Sequence, residues 1–374
     1  MNRRTRSMRL FLLLLSLTLL INGCARRFVL EDLGMVLANA YDLSEDGKIL
    51  LTVTMPQASE EAKQKTLTIT SKGDITKEAR ENISLATDRQ VVSGQLHTVI
   101  FSEKLARQGI WFALDTLLRD VTIDKTLILC VSDGPAKDVL TTQAPDHPSS
   151  GRYIYELLRK EGKNFTIPTT TIHDFARQYY DDGVDPFIPY VRLTSGKQIQ
   201  AAGTALFRED KFVGSLSTEE TKLLLLLRGK GEGGDIKQRL RTTGKNQRPA
   251  QIMLTFVRTN NKRSIDVRDG KAHVRFDVQV YGQVIEYTGE QPLTDEHTKQ
   301  EIERRIETGL NARMKDLVES LQKKYKCDPL GIGDHIKATG AIRPWTKQTW
   351  RKAYEEAQIE VNFNLHLIRF GLTK

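Results

Sequence analysis

The sequence predicts an α+β fold of mixed, largely antiparallel sheets flanked by helices and divided into more than one domain. Three observations predict it. Strand-like alternation recurs without a regular βαβ order. A long amphipathic helix sits among these strands near the C terminus. The chain of 374 residues also exceeds what a single core commonly serves.

Taken in order, the runs Gly34 to Asp42 and Lys48 to Met55 flank Ser44-Glu45-Asp46-Gly47. An Asp-Gly turn between two apolar runs reads as a hairpin, and Pro56 closes its second strand. A strand is expected over Thr66 to Thr70, a helix over Thr76 to Ala86 and a strand over Val91 to Phe101. A helix follows over Ser102 to Leu118, then a strand over Lys125 to Val131. Pro135 to Leu140, Arg152 to Lys160 and Ile172 to Tyr180 read as helices. Asp181-Asp182-Gly183-Val184-Asp185-Pro186 is a breaker. A change of unit between Asp181 and Lys197 divides residues 24–195 from 196–374, with a further subdivision near residue 245 giving three units.

Beyond that boundary, strands are expected over Ile199 to Phe207 and Lys211 to Gly214, and Ser217 is placed to cap a helix through Leu227. Ile252, Leu254 and Phe256 alternate with polar residues, as do Val274, Phe276, Val278 and Val280, which suits antiparallel sheets covered on one face. Asp269-Gly270 reads as the turn of another hairpin. Ile302, Ile306, Leu310, Met314, Leu317, Leu321 and Tyr325 mark the long helix from Asp295 to Lys326. A helix over Pro344 to Ala357 precedes a last strand carrying Val361, Phe363, Leu365 and Leu367.

Residues 1–23 have the parts of an export signal. Arg3, Arg4, Arg6 and Arg9 form a basic start, Leu10 to Ile21 is apolar apart from Ser16 and Thr18, and Asn22-Gly23-Cys24 follows. The apolar run is short for a membrane span, which needs about 20 residues. Ile21-Asn22-Gly23-Cys24 resembles a bacterial lipobox, with Asn22 an uncommon choice at its position. That resemblance implies cleavage between Gly23 and Cys24, a diacylglyceryl group on the Cys24 thiol and a further acyl chain at its amine. Removing residues 1–23 takes four arginines and no acid from the 56 basic and 47 acidic residues, so the net charge falls from +9 to +5. The remaining excess suits a membrane surface, and no basic stretch with interleaved aromatics supports nucleic-acid binding.

Three cysteines exclude a disulfide-rich scaffold. Cys130 ends an apolar run and reads as a buried strand thiol, favoured over a Cys130–Cys327 bridge. No catalytic, cofactor or metal site emerges. Gly229, Gly231 and Gly234 satisfy G-x-G-x-x-G but follow a helix instead of a strand, so they read as a turn. His297 and Glu301 share a helix face with no second His nearby, and His173-Asp174 has no nucleophile in a recognisable elbow. Asp174 suits a helix start, as do Glu219 and Glu220.

The succession of motifs resembles the Ger(x)C family, the lipoprotein C subunits of spore nutrient germinant receptors. The resemblance rests on Leu30 to Leu37 leading to Asp42, then Leu117-Leu118-Arg119-Asp120 and Lys137-Asp138-Val139-Leu140. It continues with Gly203 to Gly214, Leu216 and Glu219-Glu220-Thr221, and ends with Asp328-Pro329-Leu330-Gly331-Ile332-Gly333, Trp345, Trp350 and Gly371. Two departures, Ala25 where a Trp often follows the lipidated Cys and Gly340 to Pro344 in place of a Tyr-Pro pair, bear on receptor subtype. Membership implies a non-catalytic subunit without a cofactor, on the outer face of the spore inner membrane. Its implied partners are integral-membrane subunits A and B, and its implied role is nutrient-triggered germination. The alternatives are the solute-binding lipoprotein of a transporter and a lipid-anchored hydrolase.

Overall fold

The computed structural model describes residues 32–57, 66–143, 147, 149–230, 234–240, 250–268, 271–289 and 293–369. The first half contains β1 (Leu33–Met35), β2 (Ala38–Leu43), β3 (Ile49–Pro56), β4 (Thr66–Gly73), α1 (Thr76–Leu85), β5 (Gln90–Val92) and β6 (Thr98–Ser102). It continues through α2 (Glu103–Ala106), α3 (Trp111–Arg119), β7 (Ile128–Ser132), α4 (Ala136–Thr141), α5 (Ser150–Lys163) and α6 (Ile172–Tyr180). Then come β8 (Phe187–Leu193), β9 (Ile199–Arg208), β10 (Lys211–Leu216), α7 (Thr218–Leu227), β11 (Asp235–Arg239), β12 (Gln251–Arg268) and β13 (Lys271–Tyr287). The chain finishes with α8 (Glu296–Glu319), a π-helical turn (Ser320–Tyr325), α9 (Ile332–Thr339), α10 (Lys347–Glu356) and β14 (Gln358–Arg369).

Eight strands form one mixed sheet in the order β10-β9-β8-β7-β6-β2-β3-β4. Its middle is parallel, because β2, β6, β7 and β8 all run the same way, while hairpins make both flanks antiparallel. Helices cover both faces. Ala79 and Ile83 of α1, Leu114 and Leu117 of α3, and Phe175 of α6 close one side, while Val139 and Leu140 of α4 and Ile154 and Leu158 of α5 close the other. Strands covered on both faces read as continuous apolar runs, which is why the parallel centre carries no alternation. The residue 195 boundary drawn from sequence passes through the β8–β9 turn of this sheet.

The expected helix from Ser102 to Leu118 is two helices. Gly109 has φ +122°, and a Cβ there would lie 2.5 Å from the Asp210 carboxylate, so the chain breaks where it meets the β9–β10 turn. The expected strand from Val91 to Phe101 is likewise split between β5, which pairs with β1, and β6, which joins the large sheet.

The second sheet has the order β11-β12-β13-β14, antiparallel except for the last pair. β12 runs on to Arg268, past the alternation seen at Ile252 to Phe256, because it stays paired with β13 to that residue, and register shifts change the phase of the strands. Val257, Ile285 and Ile368 sit at such shifts and point outward, at 46%, 57% and 46% exposure, where a simple period of two would bury some of them. Asp269 and Gly270 lie outside the described residues.

Helix α8 serves this sheet twice. Ile302, Ile306, Leu310, Met314 and Leu317 are buried in its core, each contributing about 1.5–3 kcal/mol by burial. The neighbouring face lines up Glu303, Glu307 and Asn311, which accept the backbone N–H groups of Leu367, Leu365 and Phe363 at 2.7, 2.8 and 2.9 Å. A helix face thereby satisfies the free edge of β14 and blocks pairing with another strand.

Candidate functional site

Two segments singled out in the sequence meet in the interior. The breaker Asp181 to Pro186 lies against Asp328 to Gly333. The Asp185 N–H donates to the Asp328 carbonyl at 2.9 Å, and the Asp328 N–H donates to Asp185 Oδ2 at 2.8 Å. The Asp328 carboxylate accepts from the N–H groups of Gly331 and Gly333 at 2.9 and 3.0 Å. The segments cross so closely that only glycine fits. A Cβ on Gly183 would lie 2.4 Å from the Asp334 nitrogen, and one on Gly333 would lie 2.6 Å from the Gly183 carbonyl. The sequence Asp-Pro-Leu-Gly-Ile-Gly is thus the imprint of a crossing point.

Charges surround this crossing. Arg351 approaches Asp185 at 3.7 Å and pairs with Glu209 at 3.1 Å, linking α10 to the β9–β10 turn. Arg228 donates to the Pro329 carbonyl and lies over the Phe187 ring. Burial pushes the Asp328 carboxyl up to about 7, with Asp185 adding to the rise and Arg263 and Arg228 opposing it. Burial also raises Asp185, and burial together with neighbouring Asp181 raises Asp334 to about 6. Asp328 is 1% and Asp185 8% exposed, and both bind backbone amides, so they hold chain segments together instead of meeting a substrate.

The other motifs also prove to be fixtures of the fold. Asp42, at the end of β2, accepts the N–H groups of Ala136 and Lys137 at 2.8 Å each, holding the start of α4. Thr204 and Thr221 share a buried hydrogen bond at 2.8 Å, and Ser217 with Glu220 forms the capping box of α7. Asp174 closes the capping box of α6 with Thr171. Glu219 pairs with Arg313 at 3.0 Å, and Glu301 with Arg305 at 2.6 Å. Gly229 follows α7 with φ +76°, and Gly231 lies outside the described residues. Cys130 and Cys327 are free, buried thiols in different cores, and burial raises the pKa of each. Among the described residues no group of three His, Cys, Asp or Glu could hold a metal ion.

Cys24 and Gly23 lie outside the described residues, as does Gly371. The described chain begins at Asp32 and enters β1, whose Leu33 pairs with Gln90. Among the described residues no helix is long and apolar enough to cross a membrane.

Fold and joint define a two-part α+β protein whose halves are clasped through paired aspartates. Two family models match successive segments of the chain, and their boundary falls at the β8–β9 turn of the large sheet. The spore germination protein N-terminal domain matches residues 26–193, and the spore germination B3/GerAC-like C-terminal region matches residues 202–371. The chain belongs to this spore germination family. It is 23% identical to spore germination protein GerQC of Bacillus cereus, over 98% of this chain and 100% of that protein. It is 26% identical to spore germination protein B3 of Bacillus subtilis (strain 168), over 97% of this chain and 96% of that one. The crystal structure of the GerBC protein has the same fold, with a TM-score of 0.57 and 20% identity over 88% of this chain and 96% of that chain. Asp185 belongs to the first matched segment and Asp328 to the second, so the clasp joins the two.

Proposed function

We propose that the chain is the lipid-anchored, non-catalytic C subunit of a spore nutrient germinant receptor, acting with integral-membrane A and B subunits at the outer face of the spore inner membrane. The observation that carries this reading is the succession in one chain of Cys24 behind an apolar run and both family segments. Acyl chains gain about 0.8 kcal/mol per buried CH₂, and two such chains anchor a protein stably. Anchoring raises the effective concentration of the body beside its membrane partners. Deleting the gene should abolish the response to some nutrients while sporulation proceeds. Cys24→Ala should release the protein from spore membranes and reproduce the deletion in part. Undiminished membrane retention with full nutrient responses would overturn the proposal.

One feature favours a second reading, a solute-binding lipoprotein. A crevice of about 400 Å³ opens at the carboxyl ends of β2, β6 and β7, lined by Asp42, Leu43, Ser102, Asp133 and Pro135. Open sheets with a parallel centre bind ligands at such an edge. A saturable rise in Tm with one small solute, in the purified chain without partners, would support it.

A further inference from the structure

Leu85 and Val121 are the two most exposed large apolar side chains among the described residues, at 86% and 94%. Both lie at the end of the large sheet where the chain arrives from Cys24. Leu85 ends α1, and the turn after it leads into β5, whose Gln90 pairs with Leu33. Val121 follows α3, and the salt bridge of Arg80 with Asp120 at 3.2 Å ties that loop to α1. Arg80 also donates to Ser93 at 2.9 Å, just past β5. The two side chains and the entry of the chain therefore share one edge of the body.

Single exposed apolar residues are ordinary on a protein surface. Here the two most exposed coincide with the anchored edge. Leu33 lies nine positions after Cys24, a span that reaches at most about 30 Å when extended. A lipid on Cys24 would therefore hold Leu33 within about 30 Å of the headgroups, near enough for this edge to rest on them. The exposed neighbours Ser84, Ala86, Gln95 and Thr122 are uncharged and Arg119 is exposed beside Val121, while Glu81, Asp88 and Asp124 limit any insertion to shallow depth. Ile75 and Phe112, near the opposite ends of the same helices, are less exposed and share a groove away from this edge.

We propose that this edge rests on the bilayer, with Leu85 and Val121 entering its interfacial region. The inference rests on the lipid anchor at Cys24. It would give the receptor subunit a fixed orientation, with the β8–β9 turn facing away from the membrane.

The test uses the full chain, lipidated and reconstituted in phosphatidylcholine–phosphatidylglycerol vesicles. An environment-sensitive fluorophore is placed in turn at Leu85→Cys, Val121→Cys and Lys197→Cys, the last in the exposed β8–β9 turn. Quenchers carried on the lipid should reduce emission at the first two sites at least about twofold more than at the third. The intact mass reports the Cys24 adduct separately. With the adduct present, equal quenching at all three sites would overturn the inference while leaving the anchor standing. Protection of positions 85 and 121 only after addition of spore-membrane proteins would also overturn it, assigning the edge to a protein partner. A missing adduct would remove the anchor and this inference together.

Discussion

Asp42 and Asp328 hold backbone N–H groups with the same chemistry in two different settings. Asp42, at the end of β2, secures α4 across 94 and 95 residues. Asp328 secures its own turn and faces a second carboxylate, Asp185, across 143 residues. Burial raises both carboxyls, Asp42 with a smaller push from Asp138 and Asp328 with one from Asp185, but only Asp328 lies fully inside. One aspartate positions a helix within a sheet layer, whereas the other makes the contact between halves depend on a buried charge.

The largest difference should come from removing each carboxylate. Asp328→Ala leaves the Gly333 N–H without its acceptor, leaves the Gly331 N–H only a long 3.4 Å bond to the residue 328 carbonyl, and opens space at the crossing, costing about 3–5 kcal/mol. Denaturant unfolding with domain-specific probes should show the loss. Limited proteolysis should show new cleavage between the halves before either is degraded. A variant as stable as the parent would break the view that this crossing clasps the molecule.

The second effect is a dependence on pH. A carboxyl near pKa 3.9 in the unfolded chain and at about 7 when folded binds a proton preferentially in the folded state. Its stabilising contribution is therefore complete below about pH 4 and is lost as the pH rises to about 7. The total is on the order of a few kcal/mol. Asp334 and Asp185 shift the same way and add to the slope, while Arg228 and Arg263 oppose it. Asp328→Asn should be less stable at low pH, because its amide confronts a backbone N–H, and should keep only the shallower slope that Asp185 and Asp334 supply. An unchanged slope in that variant would assign the titration to the other acids.

Elements governed by local rules could be read from the sequence, and the clasp could not. Ser217 as an N-cap, the helix stripe through Ile302 and Leu310, and the strands around Ile252 and Val274 follow from neighbours a few residues away. Asp181 to Pro186 was legible as a breaker and Asp328 to Gly333 as a family motif. Polar turn residues resemble solvent-facing loops, so nothing local indicated that they meet. The edge contacts of Glu303, Glu307 and Asn311 were hidden in the same way, as polar positions beside an apolar stripe. Gly331 and Gly333 carried the available signal, since two closely spaced glycines between Asp328 and Asp334 mark a tight turn where chains can approach closely.

The smallest effect is expected at Asp42. Asp42→Ala removes two acceptors at the start of α4, but that short helix lies near the surface and water can reach part of its freed backbone. The cost should be about 1–2 kcal/mol, near that of losing a helix cap. Hydrogen exchange should quicken at Ala136 and Lys137 while the amides of Gly331 and Gly333 stay protected. The reverse pattern, or a loss matching that of Asp328→Ala, would mean that α4 holds the two halves together and that Asp42 belongs to the clasp.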